Sequence, residues 1–158
     1  MRIVVLGSGG SWPSPLRNVT AIAVKMEHEV VLLDCGEGTQ RQFMRSSLSF
    51  MDVTKVLITH FHGDHFLGLP GLLQSMGFND RIKPITIYGP EGIEELVHVL
   101  LRLGYFKPTY EINVKVLKSG EALDCGKYYI KALRSDHVVL SLAYALEEKT
   151  RPGKFNLE

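Results

Sequence analysis

Long apolar runs are missing from this sequence, and so is any bias of charge. No stretch approaches the ~18 consecutive apolar residues that a membrane-spanning helix needs. The opening residues, Met1-Arg2-Ile3-Val4-Val5-Leu6-Gly7, lack both the long apolar core and the small-residue cleavage site of a secretory signal. A cytoplasmic protein with no membrane partner is the expectation. Cysteine is scarce as well: Cys35 and Cys125 are two among 158 residues, too few for a disulfide scaffold or a zinc-finger framework. Each sits in Asp-Cys-Gly, which reads as packing or a turn. With 18 Lys and Arg against 17 Asp and Glu, a whole-surface electrostatic grip on nucleic acid is excluded, although a local one is not. No Pro-, Gly- and Ser-rich linker divides the chain, so residues 1–158 are read as one unit.

What is present is an alternation of short strand-like runs with amphipathic stretches, the pattern of an α/β fold. Residues 2–6, 20–26 and 29–34 read as strands, and Val30-Val31-Leu32-Leu33 is apolar throughout, as in a strand buried on both faces. A helix is expected from Glu37 to Leu48, a strand from Val53 to Thr59, a helix from Phe66 to Met76 and a strand from Ile85 to Tyr88. Ile93, Leu96, Val97, Leu100 and Leu101 fall at helical spacing, and Gly104 ends that helix. Ile112 to Leu117, Lys127 to Leu133 and Ser141 to Leu146 complete the strands.

The glycine-rich start invites a dinucleotide-binding reading, with Asp34 as the ribose ligand. The fingerprint fails, because Trp12 stands at the third glycine position and Pro13 and Pro15 follow where a helix should begin. A tight turn accounts for Gly7 and Gly9. Arg17 and Asn18, at the end of this loop, remain candidates for facing a ligand.

Chemistry concentrates in Thr59-His60-Phe61-His62-Gly63-Asp64-His65, directly after the apolar strand Val56-Leu57-Ile58. In extended chain, residues two apart point to one side, so His60 and His62 can converge on one ion. Gly63 permits a sharp turn, after which Asp64 and His65 approach from another angle. Four ligand-type residues in six positions on a bent backbone suit two adjacent metals better than one. Burying them without a metal would leave polar groups uncompensated at ~1–3 kcal/mol each. His28, flanked by Glu27 and Glu29, and His98, inside a helix, carry no such signal. His137, in Ser135-Asp136-His137 at another strand end, is open to either reading on spacing alone.

His60-x-His62-x-Asp64-His65 resembles the metal-binding signature of the metallo-β-lactamase superfamily of hydrolases. Within it, Leu32-Leu33-Asp34-Cys35-Gly36-Glu37-Gly38-Thr39-Gln40-Arg41-Gln42 is similar to ribonuclease Z, the endonuclease that trims the 3′ trailer from precursor tRNA. Ile87-Tyr88-Gly89-Pro90-x-Gly92 and the stretch from Tyr144 through Arg151-Pro152-Gly153 to Phe155 resemble the same branch. The resemblance implies the N-terminal half of an αββα sandwich, a mixed sheet flanked by helices, with the C-terminal half absent and the abrupt end at Leu157-Glu158 a boundary imposed on the fold. It implies two zinc ions in the full-length protein: one on His60, His62 and His137, a second on Asp64 and His65. Asp64 would also accept a proton from the attacking water. Asp34 would support the ligands through hydrogen bonds.

The resemblance further implies precursor tRNA as partner, cleaved to leave a 3′-hydroxyl on the tRNA. A bridging aspartate, a last histidine and the tRNA-gripping arm belong to the half not represented. The chain alone is therefore expected to turn over weakly or not at all, with partial or no metal occupancy. Uncovered apolar surface leads to the expectation of a homodimer. Many members carry Pro-x-Lys-x-Arg-Asn after the first strand. Here it reads Pro13-Ser14-Pro15-Leu16-Arg17-Asn18, which makes Arg17 and Asn18 a candidate substrate loop, with proline in the lysine position. Two other readings stand beside this one: a superfamily hydrolase acting on a small ester or phosphodiester, since one metal cradle serves many substrates, and a non-catalytic structural or dimerisation module.

Overall fold

Nine strands, four α-helices and one 3-10 turn (Phe50–Asp52) are the regular elements of the described part of the computed structural model, which comprises residues 1–150 and Gly153. The resemblance drawn from Arg151, Pro152 and Phe155, and the boundary read at Leu157-Glu158, lie outside the described residues. The chain opens with β1 (Arg2–Gly7), β2 (Ala21–Lys25) and β3 (Val30–Leu33), then α1 (Thr39–Met44) and β4 (Val53–Leu57). After α2 (Gly63–Phe66) and α3 (Leu69–Phe78) come β5 (Ile85–Gly89), α4 (Ile93–Leu101) and β6 (Ile112–Val116). The chain then forms β7 (Ala122–Asp124), β8 (Tyr128–Arg134) and β9 (Leu142–Glu148).

Strands β1 to β6 form one mixed sheet in sequence order, antiparallel up to β3 and parallel from β3 to β6, and β7 to β9 form a second, antiparallel sheet. The alternation of side chains in β3 shows why the sheets stack. Val30 and Leu32 belong to the core shared with Phe43, Leu69, Leu72, Ile93 and Val97 of the helices, while Val31 belongs to the core shared with Tyr128, Ile130 and Leu142 of the second sheet. The all-apolar run is thus buried on both faces. The result is a helix layer, a six-stranded sheet and a three-stranded sheet. Glu29, just before β3, fastens the two sheets: it accepts from Lys55 Nζ at 2.5 Å and from Tyr128 OH at 2.9 Å, and also from Thr54 Oγ1.

Three elements depart from the sequence expectation. The helix expected over residues 37–48 is only α1, because Gly38 precedes it in the left-handed region at φ 76° and Ser46 Oγ turns back onto the Phe43 carbonyl. The helix expected from Phe66 is split into α2 and α3 at Gly68, whose backbone meets the turn after β3. Gly68 N–H donates to Cys35 O at 2.9 Å, and a Cβ there would stand 1.9 Å from Gly36 O. Strand β7 has no sequence signal, since it is three residues long and only Leu123 of it packs on the core. β1 runs into a loop and then an antiparallel strand, which removes the dinucleotide-binding reading. Cys35 is fully buried, and burial pushes its thiol up to about 12, so it serves packing and not nucleophilic chemistry.

Arg81 is the main buried charge outside the site, at 2% exposure. Its guanidinium donates to the carbonyls of Lys83, Met51, Val53 and Pro84 at 2.7–3.0 Å, tying the start of β4 to the approach to β5. Arg81→Met leaves those carbonyls unpaired and is expected to cost roughly 2–4 kcal/mol in urea unfolding. A loss below ~1 kcal/mol would show that water substitutes for the guanidinium.

Candidate metal centre

The site is assembled at the ends of three strands. β3 ends in Asp34, β4 continues through Ile58 and Thr59 to His60, and β8 leads to the loop that carries His137. Backbone bonds fix these ends against one another: Asp34 N–H donates to Leu57 O at 2.9 Å, Ile58 N–H to Tyr88 O at 2.8 Å, and Leu142 N–H to Thr59 O at 2.9 Å. Tyr144 of β9 adds a hydroxyl bond to Ile58 O at 2.8 Å. Both sheets therefore contribute to positioning the histidines.

Asp34 occupies the left-handed region at φ 55°, a conformation aspartate tolerates better than most residues, and is 3% exposed. Its carboxylate accepts Thr59 N–H at 2.7 Å, Thr59 Oγ1–H at 2.9 Å and His65 Nδ1–H at 2.7 Å. The Thr59 hydroxyl, having given its proton to Asp34, accepts from His60 Nδ1 at 2.9 Å. This chain of donors sets the tautomer of His60 and leaves its Nε2 lone pair facing the cavity. In the same way His65 keeps Nε2 free, 3.6 Å from Asp64 Oδ2.

His60 Nε2 lies 3.0 Å from His62 Nδ1, and His137 Nε2 lies 3.3 Å from the same atom. The three ligand atoms fall within 4.8 Å of one another. A single ring nitrogen has one lone pair or one proton, so His62 Nδ1 cannot satisfy two in-line partners at once, and a cation among the three satisfies all of them. Burial, reinforced by the neighbouring imidazoles, pushes His60 down to about 4, which keeps it neutral as a ligand must be. Three imidazoles leave a fourth tetrahedral position for water, the donor set of an open zinc site. Among the described residues, this is the only group of three or more that converges in this way.

Asp64 and His65 stand beside the trio, in a cavity of about 780 Å³ that is also lined by Gly10, Ser11, Asp136 and Ser141. Burial raises Asp64, but the Ser11 N–H at 2.8 Å and the charge of His65 outweigh it and hold the carboxyl below its usual value. For His65, burial lowers the pKa, and the hydrogen bond and charge of Asp34, with Asp64 behind it, raise it overall.

The structure brings together His60, His62, Asp64, His65, His137 and Asp34. It does not bring Arg17 and Asn18 to them, for those two line a separate cleft on the other side of their loop. His28 pairs with Glu27 and His98 with Arg102, both away from the cavity. Two contributors escaped the sequence reading: Thr59, whose place between strand and first histidine was the available signal, and Ser11, whose backbone role at φ 62° leaves none. Asp34→Asn keeps the shape and the tolerance of left-handed φ while removing the charge. Zinc affinity is expected to fall roughly 10–100-fold by competition titration. In metal-free protein His65 should titrate above 6.5 by NMR, and below that in Asp34→Asn. Because the folded value is raised, the stabilisation from this pair is full below the unfolded value near 6.5 and is lost as pH rises through the folded one.

Comparison with known proteins agrees with this geometry. The family model described as "Anti-Pycsar protein Apyc1" matches residues 1–150. Ribonuclease Z of Methanosarcina mazei is 46% identical over 158 residues, which are 100% of this chain and 52% of that protein. Ribonuclease Z of Thermoplasma acidophilum is 46% identical over 149 residues, 94% of this chain and 48% of that protein. The chain spans about half the length of the curated relatives it matches. Among solved structures, human tRNase Z, short form, superposes with a TM-score of 0.84 at 34% identity, over 94% of this chain and 66% of that one. The metallo-β-lactamase fold protein YhfI from Bacillus subtilis gives a TM-score of 0.73 at 21% identity, over 91% and 56%, and so speaks to the fold alone. With its two stacked sheets, its strand-end histidines and a family match over residues 1–150, the chain is a homologue of ribonuclease Z with the metallo-β-lactamase fold, and it belongs to the family described as anti-Pycsar protein Apyc1.

Proposed function

We propose that this chain carries the metal-binding part of a zinc-dependent endoribonuclease that removes the 3′ trailer from precursor tRNA. The convergence of His60, His62 and His137 on one point carries the reading, since it supplies an open three-imidazole donor set. The similarity to ribonuclease Z over the whole chain supports tRNA as the substrate class. Asp64 Oδ2 and His65 Nε2 are offered as the ligands of a second zinc. Metal held there supplies a water activated near neutral pH and charge to offset the phosphoryl oxygens.

The remaining work falls to the chain's own groups. Asp64, ionised at neutral pH, takes the proton from the attacking water on Oδ1. Ser11 N–H holds the other oxygen, Oδ2, in place at 2.8 Å. Asp34 and Thr59 fix the His60 and His65 imidazoles so that their free nitrogens face the cavity where metal would be held. The products are a tRNA with a 3′-hydroxyl and a 5′-phosphorylated trailer. We read the protein as cytoplasmic; no helix among the described residues is long and apolar enough to cross a membrane. We also read it as a homodimer, on the exposure of Leu133, Val138 and Leu140 beside the site at 52%, 88% and 51%.

Zinc-loaded protein in excess over an end-labelled precursor tRNA should release the trailer at the tRNA junction in a slow single turnover, in line with the weak turnover expected of the chain alone. Asp64→Asn is expected to slow release by at least ~100-fold, and His60→Ala with His62→Ala to abolish it. Hydrolysis of bis(p-nitrophenyl) phosphate without any trailer release would replace this reading with a small-phosphodiester hydrolase. No hydrolysis of either, with zinc bound, would leave a non-catalytic module. Sedimentation equilibrium should give twice the chain mass, and a clean monomer would remove the dimer.

A further inference from the structure

The stretch that carries His60 and His62 is tied by its backbone at either end and not in between. Leu142 N–H donates to Thr59 O at 2.9 Å, and His65 N–H donates to His62 O at 2.9 Å. Among the described residues neither His60 nor Phe61 makes a backbone hydrogen bond. Yet His60 Nε2 and His62 Nδ1 stand 3.0 Å apart, a separation that a loose backbone would not keep. The side chain between them supplies the missing anchor. In extended chain Phe61 points opposite to His60 and His62. The two histidines line the metal cavity, and Phe61 packs instead against the helix-side core. Because Phe61 shares one rigid peptide plane with each histidine, any shift of its ring is passed to both.

The ring meets Gly89-Pro90-Glu91-Gly92, the turn from β5 into α4, none of whose residues lines the metal cavity. That turn is firmly held. Tyr88 O accepts Ile58 N–H at 2.8 Å, Gly89 O accepts Leu117 N–H at 2.8 Å, and Pro90 O accepts Ile93 N–H at 3.1 Å. Gly92 lies at φ 98°, and a Cβ there would stand 3.1 Å from Phe61 Cε2 and 3.9 Å from Cζ. Carbon atoms pack best at ~3.5–4.0 Å, so the ring rests on bare backbone in space that a side chain would take. The first bond of this set, Ile58 to Tyr88, joins the same turn to β4 two residues before His60, so strand end and ring are referred to one fixed point.

Given the metal-centre reading, on which this rests, we propose that Gly92 is a positioning residue: its missing side chain seats the Phe61 ring, and that seat sets how His60 and His62 leave the backbone. The test reads zinc affinity by competition titration and the urea midpoint of metal-free protein, so that geometry and stability are separated. Gly104, at the other end of α4, is the control, since it also has positive φ, at 70°, and a Cβ there meets nothing within 4 Å. Both Gly92→Ala and Gly104→Ala should lower the midpoint, because alanine at positive φ is strained. Only Gly92→Ala should weaken zinc, by at least ~10-fold, while Gly104→Ala stays within about twofold of wild type. Cobalt in place of zinc reports the same geometry through its visible absorption, which should lose intensity in Gly92→Ala as the imidazoles splay and water enters. Phe61→Leu lacks the ring atoms that face position 92, so adding Gly92→Ala to it should cost less than about threefold more. Phe61→Ala reads the contact from the other side, also if Gly92→Ala does not fold, and should weaken zinc at least ~10-fold. Unchanged zinc affinity in Gly92→Ala or in Phe61→Ala, an equal loss in Gly104→Ala, or the full loss from Gly92→Ala in the Phe61→Leu background would each overturn the seat. A wild-type chain that binds neither zinc nor cobalt would remove the metal centre itself, whereas tight wild-type binding with unaffected variants would remove the seat alone.

Discussion

The carboxylate of Asp34 is the joint on which the site turns. It is buried, held at positive φ, and accepts three hydrogen bonds at 2.7–2.9 Å from Thr59 and His65. A buried carboxylate without partners would be costly, and each bond it accepts also fixes a neighbour. Through Thr59 it sets which nitrogen of His60 carries the proton, and through His65 it orients the ring next to Asp64. Backbone strain at one aspartate is thereby offset by the ordering of Thr59, His60 and His65.

That joint depends on the strands on either side of it being packed on both faces. β3 and β4 are parallel neighbours in the middle of a sheet buried on both faces, so their ends are held by two cores at once. His137 comes from the second sheet, and the distance at which it meets His62 is set by how closely the sheets stack. The links across that interface, Glu29 to Tyr128 and Tyr144 to Ile58, are therefore part of the metal centre's geometry although none of these side chains faces it. The close approach of Gly68 to Gly36 does the same on the helix side, drawing the α2 turn with Asp64 and His65 against Asp34.

The elements were legible where a single period governed them. The apolar runs of β3 to β5 and the helical spacing of α4 follow from burial of one or both faces, and the structure has them within a residue or two. Legibility failed where a backbone contact decided the outcome. The break at Gly68, the short α1 after Gly38 and the three-residue β7 depend on what lies opposite in space, which no local pattern encodes. Cys35 and His28 fell where their neighbours in sequence suggested, in the core and at an exposed turn.

By itself the sequence determined the donor chemistry of the candidate metal centre. Three histidines and an aspartate within six residues at a strand end have few other uses, and their spacing alone lets His60 and His62 converge. The structure brought into the candidate cluster His137, which lies 75 residues from His62 and meets it only through the stacking of two sheets. It also decided that Arg17 and Asn18 face away from the metal cavity. A loop's two sides are indistinguishable in a sequence; the side that meets the site is the one whose Ser11 N–H donates to the Asp64 carboxylate.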